Sequence, residues 1–240
     1  ASVSSPGRAV ELLSQLRDTL GDNLQAFELI SDRAVRYVQR HVGSINLPVM
    51  DESGWYVLAD VVNWDAGDQL EQSLAAALQH KLASDVTIAK NQQEANDLWR
   101  LRHSISAAQK SEGESLKHDV SVPLHHIEEF IAGAERAVVE LLPGSRVVAF
   151  GHVGDGNVHF NVSQPTAMDG AAFGARRAEV AEVVYDITVS LGGSISAEHG
   201  IGVLKREQLQ KYRSASEMQL MRTLRQALDP DHILNPGKVL

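Results

Sequence analysis

The residues best suited to chemistry cluster in three places. The first is GHVGDGNVHF, residues 151–160, where His152 and His159 flank a Gly-Asp-Gly-Asn turn. Asp155-Gly156 reads as a two-residue hairpin turn. In that register His152 directly opposes His159, with Cβ atoms roughly 4.5–5.5 Å apart on one face. Two imidazoles so placed can share a metal ion. Asn161 follows two residues on and shares their face, while Val153 and Val158 point to the other side. A hairpin with two incidental histidines remains an alternative, because catalytic zinc usually takes three protein ligands and keeps a position open.

The second cluster is SAEHGIG, residues 196–202. Neighbours in an extended segment point to opposite sides, so Glu198 can reach a metal while His199 faces something else. Gly200 and Gly202 permit close approach of a flat ligand. Neither this loop nor GDG completes a phosphate cradle or dinucleotide fingerprint; a surface Glu-His pair in a glycine loop is the plain alternative. In the third cluster, Arg102 and Ser106 lie one helical turn apart. Lys117 opens the following strand, with Asp119 and Ser121 on its side. Arg102, Ser106 and Lys117 could hold a carboxylate, the guanidinium serving as a fork; an ordinary solvated face is the alternative.

These residues need a scaffold. Apolar spacing predicts helices over 6–20, 24–42, 67–83, 91–110, 124–141 and 170–191, the last closed by Gly192 and Gly193. Ser5 is read as the cap of the first helix and Pro6 as its first residue. β-Branched and alternating runs predict strands over 54–62, 85–89, 117–123 and 194–202, plus the hairpin 146–162. Further helices run to Leu228, with Ser214 and Glu217 as a capping box, before an irregular tail. The expected fold is α+β: a largely antiparallel mixed sheet with helices packed on one face, plus a C-terminal helical segment.

Bulk properties narrow the function classes. The chain of 240 residues has no cysteine, which excludes disulfides, thiolate metal ligands, iron–sulfur clusters and a cysteine nucleophile. A net charge of −9 without a basic run argues against nucleic acid as a partner. No apolar run approaches the ~18 residues of a membrane span. A cytoplasmic location is expected, or a mitochondrial one if the source is eukaryotic.

Three segments in order, AFGHVGDGNVHFNV, SISAEHGIGVLKR and ALDPDHILNPGKVL, resemble the C-terminal half of FAD-linked 2-hydroxy-acid dehydrogenases of the vanillyl-alcohol-oxidase type. AFELIS and LWRLRHSIS extend the resemblance, and LKHDVSVP is closest to the D-2-hydroxyglutarate branch, with D-lactate dehydrogenases also near. The resemblance implies the fold of an FAD-linked oxidase C-terminal domain. It implies a divalent metal, usually zinc, on His152, His159 and Glu198, and His199 as catalytic base. It implies substrate contacts from Arg102, Ser106, Lys117 and Asn161, and a position near the flavin for Asn235. Residues 1–200 would be the substrate or cap domain; residues 201–240 would pack on an FAD-binding domain that has no counterpart in this sequence. The chain is therefore expected to be a piece of a longer enzyme, inactive alone, that oxidises a D-2-hydroxy acid to a 2-oxo acid with hydride transfer to FAD. Expected partners are that small acid, the missing FAD-binding domain and a second copy of the chain. A self-contained metallohydrolase and a non-enzymatic binding module are the rival classes.

Overall fold

The computed structural model describes residues 1–43, 54–62 and 65–240. Among the described residues six strands form one sheet: β1 (Ser2–Val3), β2 (Leu24–Ser31), β3 (Trp55–Val61), β4 (Ser115–Ser121), β5 (Arg146–His152) and β6 (Asn157–Ser163). Their order across the sheet is β1-β3-β2-β5-β6-β4, and each of these pairings is antiparallel. The first helix, α1 (Pro6–Leu20), starts where the Ser5 hydroxyl accepts from the Arg8 amide, with proline at its first turn. Its apolar stripe of Ala9, Leu12, Leu13, Leu16 and Leu20 is buried.

Strand alternation splits the apolar residues into two cores. Leu29, Leu116, Val120, Val147, Ala149, Val158, Phe160 and Val162 share the larger core with residues of α1, α5 (Ile127–Leu141) and α7 (Arg177–Ser190). Ile30, Val148 and Phe150 form the smaller one with α2 (Asp32–Val42) and α4 (Gln92–Lys110). The α+β class and the antiparallel sheet agree with the sequence reading. The larger helical layer lies on one face, as expected, and α2 with α4 adds a smaller layer on the other. α3 (Asp65–Gln79) and α6 (Gly170–Ala175) complete the layers, and α8 (Arg206–Tyr212) and α9 (Ala215–Leu228) follow near the C-terminus. The Ser214–Glu217 capping box opens α9 as read from the sequence.

Five local expectations need correction. Of the strand expected over 194–202, only an isolated bridge between Ser194 and Ser121 forms. The segment 24–42 is a strand followed by a helix, because Leu24–Ser31 runs between β3 and β5 and its second half is buried throughout. A short apolar run buried on both sides carries no period that separates strand from helix. Residues 85–89 contribute only an isolated bridge between Asp85 and Ser2. The helix over 170–191 breaks at Arg176, which ends α6 and precedes α7, its guanidinium bound to Glu179 instead. The hairpin does not turn on Asp155-Gly156 alone. Residues 153–155 form a 3₁₀ turn over the buried Val153, and Gly156 follows with φ 83°. A Cβ at Gly156 would meet the Val122 carbonyl oxygen at 2.3 Å, so glycine is required there for both conformation and space. The register becomes Phe150 opposite His159, which makes His152 and His159 diagonal neighbours instead of a directly opposed pair.

Candidate functional site

The antiparallel registers line up a row of polar side chains on one sheet face. Glu28 of β2 opposes His152 of β5, and His159 of β6 lies between Phe150 of β5 and Asp119 of β4. By alternation Lys117 and Asn161, also opposed, belong to the same face. The smaller helical layer covers Ile30, Val148 and Phe150 on this face.

Segment 194–199 brings the remaining groups. Ser194 pairs with Ser121 on the outer edge of β4, and the Ala197 amide donates to the Asp119 carbonyl. The next two amides, of Glu198 and His199, both donate to Asp119 Oδ2 at 2.9 Å. Lys205 braces the segment, its Nζ donating to the Ile195 carbonyl at 2.8 Å. The clip leaves Glu198 Oε1 3.3 Å from His152 Nε2 and Oε2 4.0 Å from His159 Nε2. The three donors lie within 4.8 Å of one another, although the imidazole centroids are 6.2 Å apart.

Each histidine turns its other nitrogen toward a buried carboxylate. His152 Nδ1 meets Glu28 Oε1, and His159 Nδ1 lies 3.5 Å from Asp119 Oδ1. Burial pulls the His159 imidazole below its ordinary range, with Arg102 and His152 adding to the effect against Asp119 and Glu198. Its neutral form is thereby favoured, the form that ligates metals. Asp119 is buried, which alone would raise its pKa, but amide donors from His199 and Glu198 and the Asn157 side chain hold it below the usual carboxylate range. Two imidazole nitrogens and a carboxylate, with each imidazole backed by a carboxylate, fit a divalent ion such as zinc with an open position. Asp119, His159 and His199 form a second trio within 4.8 Å, but the Asp119 oxygens already accept three hydrogen bonds.

The His199 ring stacks on His159 at 5.9 Å with its Nδ1 3.6 Å from Asp119 Oδ2, and the side chain is 65% exposed. Arg102 reaches the row from α4: its Nε donates to Glu28 Oε2 at 2.6 Å and its guanidinium lies 4.7 Å from the Phe150 ring centroid. Lys117 is exposed. Asn161 is buried and donates to Gln109, which donates to Ser163. Ser106 is exposed on α4, and among the described residues no hydrogen bond ties it to the row. Asn235 is exposed in the tail, where its carbonyl accepts from the Lys238 amide. A cleft of about 430 Å³ borders His152 and Glu198, with Arg17, Leu13 and Phe27 in its wall. A larger cavity of about 530 Å³, lined by Tyr56, Leu98 and Trp99 among others, includes none of the donor trio, so size alone does not mark the chemistry.

The sequence reading assigned no role to Glu28 or Asp119. A signal existed for both. LKHDVSVP alternates with Asp119 on the side of Lys117, and AFELIS carries one acid within an otherwise apolar stretch, which asks for a buried partner.

Residues 1–239 match the family model described as FAD linked oxidases, C-terminal domain. Among curated relatives, a D-2-hydroxyglutarate dehydrogenase from Xanthomonas citri pv. viticola is 37% identical over 90% of this chain and 46% of its own length. Relatives named mitochondrial D-2-hydroxyglutarate dehydrogenase are 33% identical in Arabidopsis thaliana, over 96% of this chain and 40% of theirs, and 35% identical in Bos taurus, over 100% and 43%. The chain thus spans less than half the length of these relatives. Among solved structures, 4-ethylphenol oxidase from Gulosibacter chungangensis is similar with a TM-score of 0.62 at 17% identity, over 99% of this chain and 52% of that one. An alkyldihydroxyacetonephosphate synthase follows with a TM-score of 0.54 at 14% identity, over 98% and 43%. At these identities the two structures speak for the fold alone.

Proposed function

This chain belongs to the FAD-linked oxidase C-terminal domain family, and from that membership and the sheet-face site we propose that it forms the substrate- and metal-binding half of an FAD-dependent dehydrogenase. The reaction is oxidation of a D-2-hydroxy acid to its 2-oxo acid, and the names of the relatives favour D-2-hydroxyglutarate. The observation that carries the reading is the convergence of His152, His159 and Glu198, with Glu28 and Asp119 behind the two imidazoles.

When bound, a divalent metal would supply Lewis acidity toward a substrate hydroxyl, and FAD would supply the hydride acceptor. The chain's own work is positional and protonic. His152, His159 and Glu198 would hold the metal, and the buried carboxylates Glu28 and Asp119 lie behind the two imidazoles and would orient them. His199 takes the hydroxyl proton on the imidazole nitrogen not turned to Asp119. Arg102 binds a carboxylate, Lys117 and Ser106 complete the anion subsite, and Asn161 lines it from β6. The stacked Phe150 and the α2–α4 layer exclude water from the side of Arg102.

FAD itself is held mainly by a separate domain. Neither GDG at 154–156 nor GIG at 200–202 completes a dinucleotide fingerprint, and Asn235 supplies at most a flanking contact. In this reading residues 1–200 are the substrate domain and residues 201–240 dock on the flavin domain. The exposed Leu204, Leu220, Leu224, Leu228, Ile233 and Leu234 support such docking. The compartment is the cytoplasm, or the mitochondrion for a eukaryotic source, as the names of the plant and animal relatives suggest.

Elemental analysis tests the ligand set. The chain purified from zinc-supplemented medium should carry about one zinc, and His152→Ala should lose it; unchanged zinc in that variant overturns the ligand assignment. Joined to its flavin domain, the protein should have its flavin bleached anaerobically by D-2-hydroxyglutarate; no bleaching by this or any other D-2-hydroxy acid overturns the reaction.

A further inference from the structure

We propose that Glu28 is a positioning residue shared by two subsites: it holds His152 for the metal and Arg102 for a substrate carboxylate. The inference rests on the metal and carboxylate reading above and goes further, because it links the two subsites through one buried group.

Glu28 occupies the strand between β3 and β5 and is 0% exposed. Its oxygens face different partners: Oε2 accepts from Arg102 Nε, and Oε1, buried and with no hydrogen bond among the described residues, lies against His152 Nδ1. That contact favours the His152 tautomer with its proton on Nδ1 and the Nε2 lone pair toward Glu198. Arg102 is held twice, on its Nε edge by Glu28 and on its face by Phe150. Its side chain is only 11% exposed, yet among the described residues no hydrogen bond engages its two terminal nitrogens. A guanidinium mostly removed from water with its fork unspent is poised for an anion.

Glutamine at this position offers one acceptor and one donor. If its carbonyl serves Arg102 Nε, its N–H faces His152 Nδ1, which must then accept and carry its proton on Nε2, the nitrogen aimed at Glu198; if it serves His152, Arg102 Nε faces an N–H group. It follows that metal and carboxylate binding are coupled through Glu28, and by linkage each ligand shifts the affinity of the other by the same factor.

The experiment measures zinc affinity of the chain by competition with a chromogenic chelator, and D-2-hydroxyglutarate affinity of the zinc-loaded chain by calorimetry. Glu28→Gln should weaken zinc about 10–100-fold and the hydroxy acid about tenfold. The double variant Glu28→Gln/Arg102→Met removes one of the two donors. The glutamine carbonyl can then serve His152 alone, so zinc affinity should return toward the parent value while hydroxy-acid binding stays weak. A merely structural Glu28 would show no such rescue. Parent-like zinc binding in Glu28→Gln, or no recovery in the double variant, overturns the proposal. If Glu28→Gln does not fold, the double variant, free of the donor clash, carries the same test; if neither folds, Glu28 is structural and the proposal fails. A parent chain that binds no zinc overturns the metal reading itself, an outcome distinct from a zinc-binding parent whose variants behave alike.

Discussion

Replacing Asp119 by asparagine changes almost no volume, and the structure says what it costs. Asp119 Oδ2 accepts the Glu198 and His199 amides, and Oδ1 accepts the Asn157 side-chain amide at 2.8 Å. If the new carbonyl oxygen takes the Oδ2 position, both backbone bonds survive but lose their charged acceptor. That loss is about 1 kcal/mol each, the difference between hydrogen bonds to charged and to neutral groups. The new amide then faces the Asn157 amide, donor to donor. Asn157 Oδ1 is buried without a hydrogen-bond partner among the described residues, so rotation of the Asn157 amide restores the third bond. Asp119→Asn should therefore destabilise the chain by about 2 kcal/mol. Asp119→Ala strands three donors and should cost about 4 kcal/mol. Equilibrium urea unfolding reads both as a lower midpoint at constant slope. In the same Asn variant zinc affinity should fall about 10–100-fold, because the segment that presents Glu198 and the orientation of His159 both depend on Asp119. A variant within about 0.5 kcal/mol of the parent that also binds zinc as tightly would refute the clip.

Three further outcomes are expected. His118 is buried, pushed down to about 4 mainly by desolvation, and its Nδ1 contacts the Phe160 carbonyl. The folded chain thus refuses a proton that the unfolded chain accepts below 6.5. Its share of stability is intact above pH 6.5 and is lost as pH falls to about 4, by about 3 kcal/mol in all; His118→Gln should flatten that limb of a stability–pH curve. His199→Ala in the flavin-containing protein should slow flavin reduction by about 10²–10⁴-fold without changing zinc content, and an unchanged rate would remove His199 from the role of base. Phe160 is 0% exposed and packs edge to face on Phe130 at 5.6 Å; Phe160→Ala should cost about 3–5 kcal/mol in urea unfolding, through the cavity it leaves.

Much of the scaffold was legible locally. The helices now seen as α1 and α4, the strand at 55–61 and the existence of the 146–163 hairpin follow from caps, periodicity and turn residues within each segment. Segment 24–31 was not legible, because a strand buried between two others lacks the alternation that a half-solvated strand shows. The hairpin register shifted for a comparable reason. The buried Val153 and the close approach of Gly156 to the Val122 carbonyl select a longer turn, and Val122 lies outside the hairpin.

The sequence by itself determined the chemical inventory: two histidines around a glycine turn, an acid beside a third histidine, an arginine on a helix, and no cysteine to compete for a metal. It also determined the α+β class, since periodicity is a property of each segment alone. Only the tertiary structure decided which groups meet. The pairing of Glu28 with His152, the hold of Asp119 on residues 198 and 199, and the reach of Arg102 to Glu28 join residues far apart in the chain. Such contacts are set by strand order and by the shared burial of two sheet faces, which no local pattern of residues encodes.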